Sequence, residues 1–249
     1  GVGAYALQTN ISGSSNTAIG NEALSANTAN YNTAVGTSAL ISNSTASNNS
    51  ATGYQAGYLN QTGVNNSAFG SGTLYSNTVD QNSAFGMYAM RNTTTGGNNA
   101  AFGNNSLQTN TSGQFNVAVG MYALEGNTTA SNNVAVGYQA GFSNTTGTEN
   151  VSVGANALDA NTTASYNTAV GRNSLGATTT GEANSAVGRS SLLLNTTGAQ
   201  NSAFGVNALY SNTTASNNTA VGYQAGFSNT TGGSLTAVGM NSLRANTTG

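Results

Sequence analysis

NVAVGMYALEGNTTASN at residues 116–132 runs without a break into NVAVGYQAGFSNTTGTE at residues 133–149. Set one above the other, the two 17-residue lines agree column by column: Asn, a small third residue, a bulky fourth, Gly, Ala at the eighth and Asn again at the twelfth. Extending the alignment outward from this pair fills the chain. After Gly3 the fifth-column glycine recurs at Gly20, Gly36, Gly53, Gly70, Gly86, Gly103, Gly120, Gly137, Gly154, Gly171, Gly188, Gly205, Gly222 and Gly239. Every step is 17 residues except Gly20 to Gly36 and Gly70 to Gly86, which are 16. Such a period marks a solenoid, in which each unit buries its face only against its neighbours. The expectation is one repeat domain over residues 1–249: an all-β solenoid, a parallel β-roll or β-helix, of about fifteen 17-residue coils.

Columns are counted from the Asn four residues before each glycine. That first column is Asn16, Asn32, Asn49, Asn66, Asn82, Asn99, Asn116, Asn133, Asn150, Asn167, Asn184, Asn201 and Asn218, and becomes Leu235 in the last coil. No stretch has helical spacing, and the short N-T-A-V-G and A-L segments suit strands between turns. In a strand the second and fourth columns face one side and the third and fifth the other. One side therefore carries Thr, Val and Phe, and the other only Ala and Gly. The expected cross-section is a flattened coil with a thin interior filled by Ala, while Val, Phe and Leu pack elsewhere. Glycine suits the turn, where φ is positive.

Asn at one place on successive coils predicts a ladder of stacked, hydrogen-bonded amides. Most twelfth-column Asn residues precede Thr or Ser, as in Asn127-Thr128-Thr129 and Asn212-Thr213-Thr214, and so match the glycosylation pattern. The repeat generates that match by itself. A longer period is superimposed: GYQAG at 53–57, 137–141 and 222–226, five coils apart, with an aromatic following at Tyr58, Phe142 and Phe227. Duplication of a five-coil block explains it; a row of contact aromatics is the functional alternative.

Composition narrows the function. The chain has four Arg, six acids and no Lys, His, Cys, Trp or Pro, with 4% charged residues. There is no basic stripe to neutralise phosphates, so nucleic acid is not an expected partner. No apolar run approaches the ~18 residues of a membrane span. Without Cys there are neither disulfides nor thiolate metal sites, and without His or Cys the usual nucleophile–base pairs and zinc sets are missing. The acids Glu22, Asp80, Glu125, Glu149, Asp159 and Glu182 are scattered. Glu125 and Asp159 share the tenth column two coils apart, about 10 Å by coil rise, outside the roughly 5–9.5 Å of paired-carboxylate hydrolysis. No enzymatic activity, metal or cofactor is expected. Arg91, Arg172, Arg189 and Arg244 are read as solvent-facing. The chain starts at Gly1 without Met and ends inside a repeat, which reads as a block of something longer or a processed product.

Segments such as Asn167-Thr168-Ala169-Val170-Gly171, Asn218-Thr219-Ala220-Val221-Gly222-Tyr223-Gln224-Ala225 and Tyr210-Ser211-Asn212-Thr213-Thr214 resemble the Asn/Thr/Gly-rich repeats of phage tail-fibre-like and bacterial surface proteins. That class often carries an endosialidase-type chaperone at its C-terminus. The A-V-G core is also similar to head repeats of YadA-like trimeric autotransporter adhesins, although those repeats are shorter. The resemblance implies a homotrimeric, intertwined or side-by-side parallel β-roll, extracellular on a cell surface or virion, used for reach and attachment. Each coil offers few bulky apolar side chains, so a second apolar interface, with Val and Phe packing on other copies, is also expected. The leading reading is thus a structural fibre or filament segment whose partner is itself, with cell-surface glycans or a host surface as further partners and end-to-end self-assembly as an extension. The alternatives are a single-chain ice-binding or glycan-binding solenoid. An ice-binding face wants T-x-T ladders, whereas the Thr pairs here are adjacent.

Overall fold

The computed structural model describes residues 1–248. They form a parallel β-solenoid of about 13 turns at 17-residue spacing, without helices. The chain divides into two compact units, Gly1–Thr129 and Ala130–Gly249. The first contains β1 (Thr17–Ile19), β2 (Thr33–Val35), β3 (Ser50–Thr52), β4 (Ser67–Phe69), β5 (Ser83–Phe85), β6 (Ala100–Phe102) and β7 (Val117–Val119). The second contains β8 (Val134–Val136), β9 (Val151–Val153), β10 (Thr168–Val170), β11 (Ser185–Val187), β12 (Ser202–Phe204), β13 (Thr219–Val221) and β14 (Thr236–Val238). Within each unit successive strands pair parallel and in register, so Ala34 faces Ala51 and Ala186 faces Ala203. The repeat at Gly3 contributes no strand; Val2 forms a single parallel bridge to Ile19.

Each strand is only three residues long, with its middle residue buried and its flanks open. Third-column alanines such as Ala34, Ala101, Ala169 and Ala186 are fully buried. Ala is the residue that fits because two layers of backbone approach closely there. The second and fourth columns face outward, as their period-two pattern requires. The ninth column corrects the expectation that Leu packs elsewhere. Leu24, Leu74, Leu107, Leu175 and Leu192 are fully buried, and in the second unit Leu158, Leu175, Leu192 and Leu209 form one apolar cluster with the alanines.

Those leucines sit in an unexpected backbone conformation. Leu40, Leu74 and Leu124 have φ of 49°, and Leu209 has 48°. The seventh and seventeenth columns are left-handed too, for example Tyr88 at 59° and Asn132 at 61°. For a residue with a Cβ this costs roughly 1–2 kcal/mol. Burying a Leu side chain contributes about 1.5–3 kcal/mol, so the two effects nearly balance in favour of Leu. That near-balance explains the five-coil variation. At Gly57 and Gly226, with φ of 62° and 60°, glycine occupies the same column unstrained and leaves the side-chain space to its neighbours. Leu40 fills it at the first site, its Cδ2 lying 2.7 Å from where a Cβ on Gly57 would be.

The turn glycines Gly20, Gly36, Gly53, Gly70, Gly86, Gly103, Gly137, Gly154, Gly171, Gly188, Gly205, Gly222 and Gly239 all have positive φ, as does Gly120. The conformation is only half the reason for them. A Cβ at Gly36 would lie 2.5 Å from the carbonyl oxygen of Gly53, and one at Gly188 2.5 Å from that of Gly205. Where a further coil stacks on it, as at Gly36 and Gly188, the glycine therefore leaves no room for a side chain.

The two 16-residue coils lose their residue in the bend after the twelfth column, leaving the strand register intact. In three of the 17-residue coils a serine hydroxyl in the bend, Ser47, Ser165 or Ser216, accepts a backbone N–H from the preceding coil, as Ser216 does from Ala199 at 3.0 Å. In the short coils Asn30 and Asp80 do this instead, accepting from Ser14 at 2.7 Å and from Val64 at 2.8 Å.

Candidate functional site

The Asn columns lie inside the coil and knit it together. The backbone N–H of Asn49 donates to Oδ1 of Asn32 at 2.9 Å, and that of Asn66 to Oδ1 of Asn49 at 2.9 Å. The pattern repeats in the second unit from Asn167 to Asn150 and from Asn184 to Asn167, and ends where Leu235 donates its N–H to Asn218. First-column amides are thus bonded mainly to backbone. The twelfth column makes the amide-to-amide stack, for example Asn43 Nδ2 to Asn27 Oδ1 at 2.8 Å and Asn161 Nδ2 to Asn144 Oδ1 at 2.7 Å. Both columns converge on one carbonyl per coil. Ala46 accepts from Asn32 at 2.8 Å and Asn43 at 2.9 Å; Ala164 accepts from Asn150 at 2.9 Å and Asn161 at 3.0 Å. Both lone pairs of a buried carbonyl are used, which is what makes a polar interior tolerable. Asn127, Asn161 and Asn212 of the glycosylation pattern are fully buried, so the folded coil leaves no room for a sugar on them.

Chemistry available to a partner lies on the outward columns. In the first unit Phe69, Phe85 and Phe102 stack in consecutive coils, centroids 4.8 Å apart and planes 5° and 6° from parallel. In-register parallel strands repeat at about this distance, so like residues in one column must stack. The bulky fourth column alone does not imply a ladder, but the consecutive run of Phe at 69, 85 and 102 does. The second, fourth and sixth columns of β1–β7 and their following turns hold no charged residue. Tyr54, Met87 and Met121 of the sixth column are exposed, as are Ile19, Val117 and Val119. In the second unit the fourth column is Val with one Phe, Phe204, and the sixth includes Arg172 and Arg189, both exposed as expected.

The three aromatics of the five-coil period are not brought together. Tyr58 stacks on Tyr75 at 4.8 Å, Phe227 on Tyr210 at 5.0 Å, and Phe142 is half-buried in the same tenth column. Arg91, read as solvent-facing, is half-buried, with its guanidinium 4.7 Å from the Tyr88 ring centre and 5.5 Å from that of Tyr75. Arg244 lies 5.9 Å from the Phe227 ring, a similar cation–π contact. Stacked rings cover each other's faces and present edges, whereas a sugar stacks on a face. Thirteenth-column threonines form their own ladder: the hydroxyls of Thr179, Thr196 and Thr213 donate to the carbonyl of the next coil at 3.3, 3.1 and 3.2 Å. Their protons are committed to the protein rather than offered to ordered water.

Among the described residues there is no group of three or more His, Cys, Asp or Glu able to hold a metal, and no helix is long and apolar enough to cross a membrane. Asp159 is the acid with a perturbed site: burial pushes its carboxyl above the usual range, opposed by hydrogen bonds from its own backbone N–H and that of Ala160. In comparison with known proteins, no family model, curated protein or solved structure matches the chain.

Proposed function

We propose that this chain is a structural segment of an extracellular fibre whose copies pack together through the outward sheet face, three about a common axis, giving stiff reach and repeated attachment points. The observation that carries the reading is the charge-free face of the first unit centred on Phe69, Phe85 and Phe102. Large side chains carry ~150–250 Å² each, so eight of them exposed by a third to a half present roughly 600 Å² there. That is the upper end for a monomer's largest patch and close to the ~800 Å² per partner of a stable interface. Flat apolar rows with ring edges outward suit a second sheet better than a soluble ligand. The threefold arrangement and the surface location follow from the resemblance to fibre and adhesin repeats. Cell-surface glycans or a host surface would then be met by the assembled fibre, and end-to-end stacking of coils would lengthen it.

Light scattering on the purified chain tests this. A species near three times 24.7 kDa is expected. Phe85→Lys, which puts a charge in the middle of the ladder, should release monomers while the β-sheet spectrum is retained. A wild-type chain that stays monomeric at high concentration would overturn the reading.

A further inference from the structure

The second unit contains an opening that the repeat does not call for. Its tenth column carries Phe142, Asp159, Leu193, Tyr210, Phe227 and Arg244 in order, except that one coil has Gly176. Omission of that side chain leaves an open notch of about 300 Å³, lined by Asp159 and Leu193 on either side of Gly176 and by Asn156, Asn173 and Leu194 around it. One carboxylate oxygen of Asp159 stands 3.5 Å from where a Cβ at 176 would be, and Cδ1 of Leu193 stands 3.0 Å from the same point. Charge and apolar surface thus meet across the missing side chain.

Asp159 makes no ion pair among the described residues, and the nearby-coil cations Arg172 and Arg189 are exposed in the sixth column. The side-chain amides of Asn156 and Asn173 hold no hydrogen bond to protein among the described residues. A half-buried carboxylate without a counter-ion, next to two uncommitted amides, favours a cation that also carries N–H donors. Leu193 and Leu194 would cover a short alkyl stem, as apolar walls do for Lys and Arg side chains. A divalent metal is the poorer fit, since it wants six or more oxygens and here finds one carboxylate beside leucines.

We propose that the Gly176 notch binds a small organic cation, an alkylammonium or guanidinium head group of the size found on lysine and arginine side chains. Asp159 supplies the charge, the Asn156 and Asn173 amide oxygens accept the remaining N–H groups, and Leu193 and Leu194 receive the stem. The same chemistry could arrive as a free molecule or as an arginine of another copy.

The chain has two aspartates, Asp80 and Asp159, so labelling Asp with carbon-13 at the carboxyl yields two resonances, one of them an internal control. Asp80 is exposed, bonded to the Val64 N–H, and lies in the first unit. Titration with n-butylammonium or methylguanidinium chloride is expected to move the Asp159 resonance saturably at ~1–10 mM, the range of a single charge-assisted contact, and to leave Asp80 in place. Gly176→Leu fills the notch with the residue the column carries at 193, and should weaken the response about tenfold or more. Tetrabutylammonium, equally charged but too wide to enter, is a control that needs no variant and should leave Asp159 unmoved. An Asp159 resonance already at its bound position without probe, returning on dilution of the protein, would identify the cation as an arginine of another copy. The proposal is overturned if sodium chloride or tetrabutylammonium moves Asp159 as far as n-butylammonium does, if both aspartates move together, or if folded Gly176→Leu responds undiminished.

Discussion

The two units are built on the same coil and differ almost entirely on the outside. Gly36 in the first and Gly188 in the second both face a carbonyl oxygen at 2.5 Å from a would-be Cβ. Asn32 and Asn150 both donate a hydrogen bond from Nδ2 to the bend carbonyl of their own coil, at 2.8 and 2.9 Å. Outside, the first unit carries a three-ring Phe ladder and an uncharged face, while the second carries valines, two exposed arginines and a notch beside a half-buried acid. Columns that touch the coils above and below are under the same constraint everywhere, because one misfit is met by both neighbours. Columns that face out meet only their own column neighbours within the unit, as the Phe and Tyr stacks do, and tolerate more variety. The difference teaches where to look for function in such a chain: in the places where an outward column changes along the axis.

The largest effect should come from the column that admits no side chain. Gly36→Ala and Gly188→Ala force both a left-handed Cβ and a backbone clash, and each is expected to destabilise by about 3 kcal/mol or more, or to prevent folding. Chemical denaturation of the two variants should give equal losses; a tolerated alanine in one unit would break the equivalence of their interiors.

Next comes the polar interior. Asn167→Ala leaves the Asn184 N–H and one acceptor site of the Gly181 carbonyl unfilled, and should cost about 2–4 kcal/mol. Leu235 shows that the ladder can stop at an apolar residue. Asn167→Leu should nonetheless be as damaging, because the ladder continues beyond it to Asn184.

A smaller and more discriminating pair concerns the left-handed leucine column. Leu175, with φ of 52°, is fully buried. Leu175→Ala should cost about 3 kcal/mol. Leu175→Gly should cost about 1 kcal/mol less than that, since glycine sheds the left-handed strain. At right-handed core positions the order is the reverse, so denaturation midpoints that rank Ala above Gly would refute the strain argument.

The smallest effect is at Asp159. Burial lifts its folded pKa above the ordinary value of 3.8, so the ionised form is disfavoured in the folded state. The resulting penalty is absent where the acid is protonated in both states, grows as pH rises through the carboxylate range, and is complete above the folded pKa. Asp159→Asn should therefore raise the melting temperature slightly at neutral pH, with the gain fading as pH falls below 3.8. A gain that persists in acid would assign the effect to packing.

Much of this was legible from spacing alone. The glycine period sets coil length, and the alternation of small and bulky residues says which strand face is inside; that the two short steps keep the strand register is visible only in the structure. The buried Leu column escaped that reading, because Leu is an ordinary strand or helix residue and carries no mark of left-handed backbone; only Gly57, Gly141 and Gly226 in the same column hint at it. The five-coil aromatics Tyr58, Phe142 and Phe227 drew attention by their regularity, yet each finds its contacts within its own neighbourhood, while the Phe ladder that does form comes from ordinary coils.

What the sequence by itself determined is the repeat, its all-β character, the inward Ala column and the poverty of charge. These are properties of one coil and its copy, and a period states them fully. The tertiary structure decided which backbone hand each column takes, that two Asn columns share one carbonyl, and that a single glycine in the tenth column opens a notch beside a carboxylate. Those depend on distances between residues 17 apart in sequence and one coil apart in space, which no column of letters records.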